Sequence, residues 1–150
     1  MSEREKSGDA SAVRRIICIS NLIKRNLDCA RAQRDDTLTP MHGFIIGYIN
    51  RNSGRDVFQK DIEKTFSYRR STASTVLGLM EEKGLIERRP VEYDARLKKL
   101  VLTEKSKRFA ASCEEDGRAL DERIASWISE DERRELLRIL DKIKTNLKGE

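Results

Sequence analysis

The chain has few of the residues on which metal sites, disulfide frameworks and membrane spans depend. Its 150 residues include three cysteines, Cys18, Cys29 and Cys113, without a CxxC pair, and one histidine, His42. A structural zinc site or a disulfide framework is therefore not expected. No apolar run approaches the roughly 18 residues of a transmembrane helix, and the polar N-terminus carries no signal-peptide core. We expect a cytoplasmic protein with no membrane partner.

The sequence also lacks the residue sets that catalysis requires. It contains no nucleophile–base constellation, no glycine-rich phosphate loop and no set of metal ligands. We therefore predict neither an enzymatic activity nor a cofactor. Charged residues make up 38% of the chain and hydrophobic residues 37%, which is typical of a helical protein with a modest core.

The positive charge is concentrated in the first two-thirds of the chain. The formal net charge is +5; residues 55–103 hold 11 basic and 8 acidic residues, whereas residues 104–150 hold 11 basic and 12 acidic ones. This balance permits nucleic-acid binding without proving it, because ribosomal, membrane-surface and ordinary basic proteins share it. Residues 104–150 are typical of a solvated helical region with many ion pairs.

Apolar residues at three- and four-residue spacing predict helices along most of the chain. The first helix runs from a cap at Asp9 or Ser11 to about Arg34, after a disordered start and before a polar break at residues 35–37. The next helix begins at Thr39-Pro40, with threonine as the cap and proline at the first helical position. Its expected core residues are Met41, Phe44, Ile45, Tyr48 and Ile49.

Residues 57–103 predict two short helices followed by a β-hairpin. The two helices are expected to bury Phe58, Ile62, Phe66, Ala73, Val76, Leu77 and Met80, and Gly84 ends the second one. Strands are predicted at residues 85–89 and 98–102, joined by a loop over residues 91–97 with Tyr93-Asp94-Ala95-Arg96 at its tip. A helix-turn-helix followed by a basic hairpin suits duplex DNA, with the second helix in the major groove.

In their order and spacing, these fragments resemble the MarR family of winged helix-turn-helix transcriptional regulators, from about Leu38 to Thr103. The matching fragments are Gln59-x-x-Ile62, Arg70-Ser71-Thr72-Ala73-Ser74, the exit from Glu82 to Arg88, Asp94-Ala95-Arg96 with Lys98, and Leu100-Val101-Leu102-Thr103. The chain departs from the family at Arg69, where a small capping residue such as serine is usual, and at Ser106, where glycine is frequent.

The resemblance implies a mainly α fold with a small β-hairpin wing and dimerisation helices on both sides. The implied parts are a disordered N-terminus (1–9), an N-terminal dimerisation helix (10–36), a winged helix-turn-helix DNA-binding domain (38–103) and C-terminal dimerisation helices (104–150). The apolar residues expected at the dimer interface are Val13, Ile16, Ile17, Ile23, Leu136, Leu140, Ile143 and Leu147. The alternative is that these stripes close the core of a monomer.

Candidate DNA contacts lie at the start of the second short helix and along the hairpin. They are Arg69, Arg70, Ser71, Thr72, Ser74, Thr75, Arg88, Arg89, Asp94, Arg96 and Lys98. Arg70 can read a guanine edge and the small hydroxyl residues allow close approach, while Arg96, held by Asp94, can enter a narrow minor groove. The alternatives are a solvated helix face and a surface ion pair of about 0–1 kcal/mol.

These observations predict a sequence-specific transcriptional regulator, a ligand-responsive repressor that binds a palindromic operator in double-stranded DNA as a homodimer. The resemblance implies a small aromatic or amphipathic effector of unknown identity, held by the first helix, the His42–Tyr48 helix and the helix after Thr103. One alternative is a winged-helix protein-interaction module without DNA binding, which the basic wing disfavours. The other is a thiol-based oxidant sensor, although Cys18 among isoleucines is expected to be buried and inert.

Overall fold

The computed structural model describes residues 11–32 and 38–149, in two units that divide between Met41 and His42. The elements in these ranges are α1 (Ala12–Ala32), α2 (Pro40–Arg51), α3 (Gln59–Phe66), α4 (Arg70–Glu82), β1 (Ile86–Val91), β2 (Asp94–Leu102), α5 (Glu104–Ser126) and α6 (Glu130–Lys148). This order confirms the predicted mainly α fold with a hairpin wing. Within the two ranges, no helix combines the length and apolar character that a membrane span needs.

Helix α1 begins as predicted, with the Ser11 Oγ accepting a hydrogen bond from the backbone N–H of Arg14 at 3.3 Å. The predictions for Asp9, for the disordered start and for the break at 35–37 fall outside the described residues, as does the side chain of Cys29. The prediction that Cys18 is buried is wrong for the single chain, because Cys18 is exposed. The apolar residues around it, such as Ile17 and Ile19, are exposed too, so they give it no apolar shell.

Helix α2 buries a different face from the predicted one. Ile45 and Ile49 are buried as expected, but Met41, Phe44 and Tyr48 remain partly exposed. The additional buried residues are His42, Gly43, Ile46 and Gly47. The helix is apolar on most sides, so periodicity does not identify its buried face. On the buried face, a Cβ added at Gly47 would lie 3.3 Å from the Glu114 Cγ of α5.

The core of the winged helix-turn-helix forms where α3, α4 and the hairpin meet. Its largest fully buried side chains include Ile62, Leu77, Met80, Leu85 and Ile86. The predicted core residues Phe58, Phe66 and Val76 are only half-buried. Gly84 follows α4 with a φ of +68°, the left-handed conformation that glycine adopts at low cost.

The hairpin is longer and its turn shorter than the sequence predicts. Strands β1 and β2 pair in regular antiparallel register from Ile86↔Leu102 to Pro90↔Lys98, and Val91 then pairs with Asp94. The turn is therefore Glu92-Tyr93, and the predicted loop over 91–97 is wrong. The register shifts after Pro90, which has no N–H to continue the ladder, and this leaves Ala95–Leu97 as a bulge in β2.

The two C-terminal helices carry the predicted N-caps. The Thr103 side chain accepts from the Ser106 N–H at the start of α5. At the start of α6, the Ser129 Oγ accepts from the Glu132 N–H at 3.1 Å and the Glu132 carboxylate accepts from the Ser129 N–H at 2.8 Å. No side chain of α6 is buried. Its apolar face is therefore open in the single chain.

Candidate nucleic-acid interface

Aromatic contacts lie at the turn between α3 and α4, and a side-chain cap holds the opposite end of α3. The Asp61 carboxylate accepts from the backbone N–H of Phe58 at 2.8 Å where α3 begins. The Phe66 ring lies 6.0 Å from both the Tyr48 and the Tyr68 rings, measured between centroids. Burial raises the pKa of the Tyr68 hydroxyl above its ordinary value. The aromatic contacts therefore pack the end of α3 and the turn against α2.

The N-terminus of α4 is exposed and carries no acidic residue in its first turn. Arg69 occupies the N-cap in the extended conformation of a capping residue, but its side chain makes no capping hydrogen bond. The first N–H groups of α4 therefore keep their partial positive charge, which favours an anion such as a phosphate. The guanidinium-bearing Arg69 and Arg70 are exposed beside it, as are Ser71 and Thr72.

The outward flank of α4 presents hydroxyl groups on one face. Ser71, Ser74 and Thr75 are exposed and stand three and four residues apart, the spacing of neighbours on a helix surface. The Thr75 Oγ1 donates to the Ser71 carbonyl at 3.0 Å, whereas the Ser74 Oγ lies 2.9 Å from the Gln59 Nε2. Ala73 and Leu77 face the core instead. Of the predicted contacts, Ser71, Ser74 and Thr75 thus share one side of α4.

In the wing, Asp94 holds the backbone of Arg96, while the Arg96 side chain extends into solvent. The Asp94 Oδ1 accepts from the backbone N–H of Arg96 at 2.9 Å and from its Nε at 3.2 Å. The Arg96 side chain is nevertheless 91% exposed. The predicted contact between the two residues is therefore present. This contact lies in the bulge of β2, where Arg96 is paired with no residue of β1.

The other basic residues of the hairpin differ in their freedom to reach DNA. Lys98 is exposed, and Arg89 pairs with Glu87 at 2.7 Å on the surface. Lys99 forms an ion pair with Asp56, with 3.1 Å between its Nζ and the Asp56 Oδ1. The Arg88 side chain is only 28% exposed; its Nε lies 3.2 Å from Glu81 and its Nη1 donates to the Gln59 Oε1 at 3.1 Å.

Gln59 belongs to this site, and sequence reasoning did not assign it a role. Its amide contacts residues of α3, α4 and β1, and so it links the recognition surface to the wing. The sequence gives one signal, the position of Gln59 at the start of α3 in the stretch that resembles the family. The partners themselves lie 15 and 29 residues away and only the fold brings them together.

A helix-turn-helix followed by a two-stranded basic wing defines a winged helix-turn-helix protein, a class built to dock on duplex DNA. The MarR family model matches residues 36–97, which span α2, α3, α4 and most of the wing. The chain is therefore similar to the MarR family across its winged helix-turn-helix part.

Similar proteins extend the match over most of the chain. An uncharacterized HTH-type transcriptional regulator of Bacillus subtilis (strain 168), YybA, is 25% identical over 86% of this chain and 79% of its own length. The crystal structure of the transcription regulator MarR from Oenococcus oeni PSU-1 is 29% identical, with a TM-score of 0.79, over 90% of this chain and 99% of that one. A crystal structure of a Staphylococcus aureus MepR–DNA complex is 25% identical, with a TM-score of 0.79, over 91% of this chain and 98% of that one.

Proposed function

We propose that the protein is a ligand-responsive repressor that binds a palindromic operator in double-stranded DNA as a homodimer. Helix α4 enters the major groove, and Arg96 of the wing enters the adjacent minor groove. The observation that carries the proposal is the Arg96 guanidinium, which Asp94 orients while the side chain stays 91% exposed. The structural similarity to a MepR–DNA complex supports the proposal.

The contacts divide into those that position the protein and those that read the sequence. Arg69 and Lys98 neutralise phosphates, and the N-terminus of α4 beside Arg69 itself attracts an anion. Arg70 and the hydroxyl groups of α4 face the base edges, where guanidinium and hydroxyl groups can discriminate between bases. A narrow A·T-rich minor groove concentrates negative potential, which favours Arg96 there.

Dimerisation uses apolar faces that a single chain leaves open. On α1, considered by itself, Val13, Ile16 and Ile17 are exposed. On α6, Leu136, Leu140 and Leu147 are exposed, and Ile143 is half-buried. A second copy of the chain covers these faces in an isologous contact, as in most homodimers. Two α4 helices about 34 Å apart then read the two halves of a palindrome.

Release from DNA is assigned to a small aromatic or amphipathic effector, with no tightly bound cofactor. The support for this part is the resemblance to MarR regulators alone. When small aromatic or amphipathic compounds are added one at a time to the protein–DNA complex, at least one should weaken binding and raise transcription from a template that carries the operator. A panel in which no compound changes either quantity would contradict the ligand response and leave the DNA binding itself unaffected.

Selection of DNA from a random pool tests the proposal. The purified protein is incubated with the pool at physiological salt, and the retained fragments are amplified and sequenced over several rounds. We expect one sequence motif to be enriched, because α4 reads base edges. A pool that stays random would overturn the proposal and favour the alternative, a winged-helix module that binds another protein.

A further inference from the structure

Gln59 lies at the centre of a hydrogen-bond network that joins the first helix of the helix-turn-helix, the recognition helix and the wing. Its Nε2 donates to the Glu63 Oε1 at 3.1 Å and lies 2.9 Å from the Ser74 Oγ. Its Oε1 accepts from the Arg88 Nη1 at 3.1 Å. Arg88 is held in turn by Glu81, 3.2 Å from its Nε.

The partners of Gln59 determine which way its amide points. A carboxylate such as that of Glu63 can only accept a hydrogen bond, and a guanidinium such as that of Arg88 can only donate one. The NH₂ group must therefore face Glu63 and Ser74, and the oxygen must face Arg88. In the bond between Gln59 and Ser74, the amide is the donor and the Ser74 hydroxyl oxygen is the acceptor.

Among the described residues the Ser74 hydroxyl has no acceptor, so this assignment leaves its hydrogen for a partner outside the protein. Ser74 is exposed on the outward flank of α4. A serine hydroxyl can both donate and accept, but here its accepting role toward α3 is already taken. On duplex DNA, the available acceptors are phosphate oxygens and the N7, O6 and O4 atoms of the major groove.

We infer that Gln59 and Arg88 are positioning residues that make Ser74 a hydrogen-bond donor to a DNA acceptor. The inference rests on the proposed function, and it gives Arg88 a role other than a phosphate contact. Arg88 fixes the amide of Gln59, the amide fixes the Ser74 hydroxyl, and the hydroxyl then donates to the DNA. The recognition helix therefore favours an acceptor atom opposite Ser74.

The Gln59→Glu variant reverses the donor and acceptor at nearly constant shape. A carboxylate can only accept, so it draws the Ser74 hydroxyl hydrogen inward and still pairs with Arg88. The variant is made on a Glu63→Gln background, which removes the carboxylate that would otherwise repel it at 3.1 Å. With the DNA selected by the wild-type protein as the probe, we expect Gln59→Glu and Ser74→Ala each to weaken binding about tenfold, the loss of one hydrogen bond. The double variant should bind about as well as Gln59→Glu alone, because both changes remove the same donor.

The comparison of the two single variants with the double variant also controls for the negative charge that Gln59→Glu adds. If Gln59→Glu acts only by repelling DNA, its effect adds in full to that of Ser74→Ala, and this result would overturn the inference. Ser74→Thr keeps a hydroxyl and should retain most of the affinity. The proposed function fails in a different experiment: a wild-type protein that selects no sequence overturns it. Full additivity of the two changes on the selected DNA overturns only the inference about Gln59.

Arg88→Met provides a second variant that does not depend on the folding of Gln59→Glu. Its loss of affinity should be absent on the Ser74→Ala background, and the slope of log affinity against log salt should stay near that of the wild type. A phosphate contact gives the opposite result: the loss would be additive, and the slope would fall by about one. That outcome would return Arg88 to the set of direct contacts and overturn its positioning role.

Discussion

Arg96 combines a high exposure of its side chain with an anchored backbone. Asp94 accepts from both the N–H and the Nε of Arg96, so the residue loses little further freedom when it enters a groove. The ion pair itself contributes little to stability, because exposed pairs are worth about 0–1 kcal/mol. We therefore assign the pair a role in binding and a negligible one in folding.

Arg96→Ala should weaken binding to the selected DNA by about tenfold or more and leave the thermal midpoint unchanged. A fluorescence anisotropy titration at fixed salt measures the affinity. Arg118→Ala is the matched control, since it removes the same charge from an exposed position on α5, where Arg118 pairs with Glu115 and Glu122. Equal affinities for Arg96→Ala and wild type would remove the wing from the mechanism.

Ser106 shows how a departure from the family pattern is accommodated. Its side chain is fully buried, and its Oγ donates to the Leu85 carbonyl at 2.7 Å. The hydroxyl thus ties the first turn of α5 to the residue that leads into the wing. A glycine at this position could not make the bond, so this chain has a side-chain link there that the common family residue cannot supply.

Ser106→Ala should lower the free energy of unfolding by about 1 kcal/mol, because the buried Leu85 carbonyl loses its strongest hydrogen bond. Urea denaturation followed by circular dichroism measures the change. Ser126→Ala, at an exposed position in the last turn of α5, should change stability by less than about 0.5 kcal/mol. An equal effect of the two variants would mean that the buried bond contributes no net stability.

At the scale of elements, the start of α4 is not optimised for helix stability. Ser129 caps α6 with its side chain, whereas Arg69 at the equivalent position of α4 cannot accept a hydrogen bond. An arginine there leaves the helix end open and adds a cation beside it. Both properties favour a bound phosphate. A capping residue at position 69 would thus stabilise the helix, whereas Arg69 favours DNA affinity.

Arg69→Ser should therefore raise the free energy of unfolding by about 0.5–1 kcal/mol and weaken DNA binding severalfold. Arg69→Ala separates the two effects, since it removes the cation without supplying a cap. We expect Arg69→Ala to match Arg69→Ser in affinity and to show no gain in stability. A serine variant that is no more stable than the alanine variant would contradict the capping argument.

The sequence predicts the order of the elements well, because Pro40, Gly84, Thr103 and Ser129 act through local chemistry. The outward flank of α4 was also predictable, since it follows from helical spacing. The hairpin turn was not, because the bulge at Ala95–Leu97 depends on cross-strand register. The network around Gln59 could not be predicted either, because its partners are distant along the chain.

At the scale of the whole molecule, the open apolar faces explain why burial was the least predictable property. The isoleucines around Cys18 predict that it is buried, yet Ile16, Ile17 and Ile19 are all more than 40% exposed in the single chain. The same holds for α6, where no side chain is buried. Periodicity identifies a face that needs a partner, but it does not say whether the partner is this chain or another.

Leu140→Glu should convert the proposed dimer to a monomer, because it places a charge in the apolar face of α6. Sedimentation equilibrium at micromolar concentration measures the mass. Thr145→Glu is the control: it adds the same charge on the opposite side of α6, where Thr145 is exposed. A wild-type protein that sediments as a monomer would contradict the dimer, as would a Leu140→Glu variant that remains dimeric.

The symmetry of the selected DNA tests the central claim most directly. Sequencing the fragments that the purified protein retains from a random pool gives both the motif and its repeats. The account predicts an inverted repeat whose half-sites are centred about one helical turn, roughly 10 base pairs, apart. Enrichment of a single unrepeated motif would contradict the dimeric mode of binding, and a pool without enrichment would contradict sequence-specific DNA binding altogether.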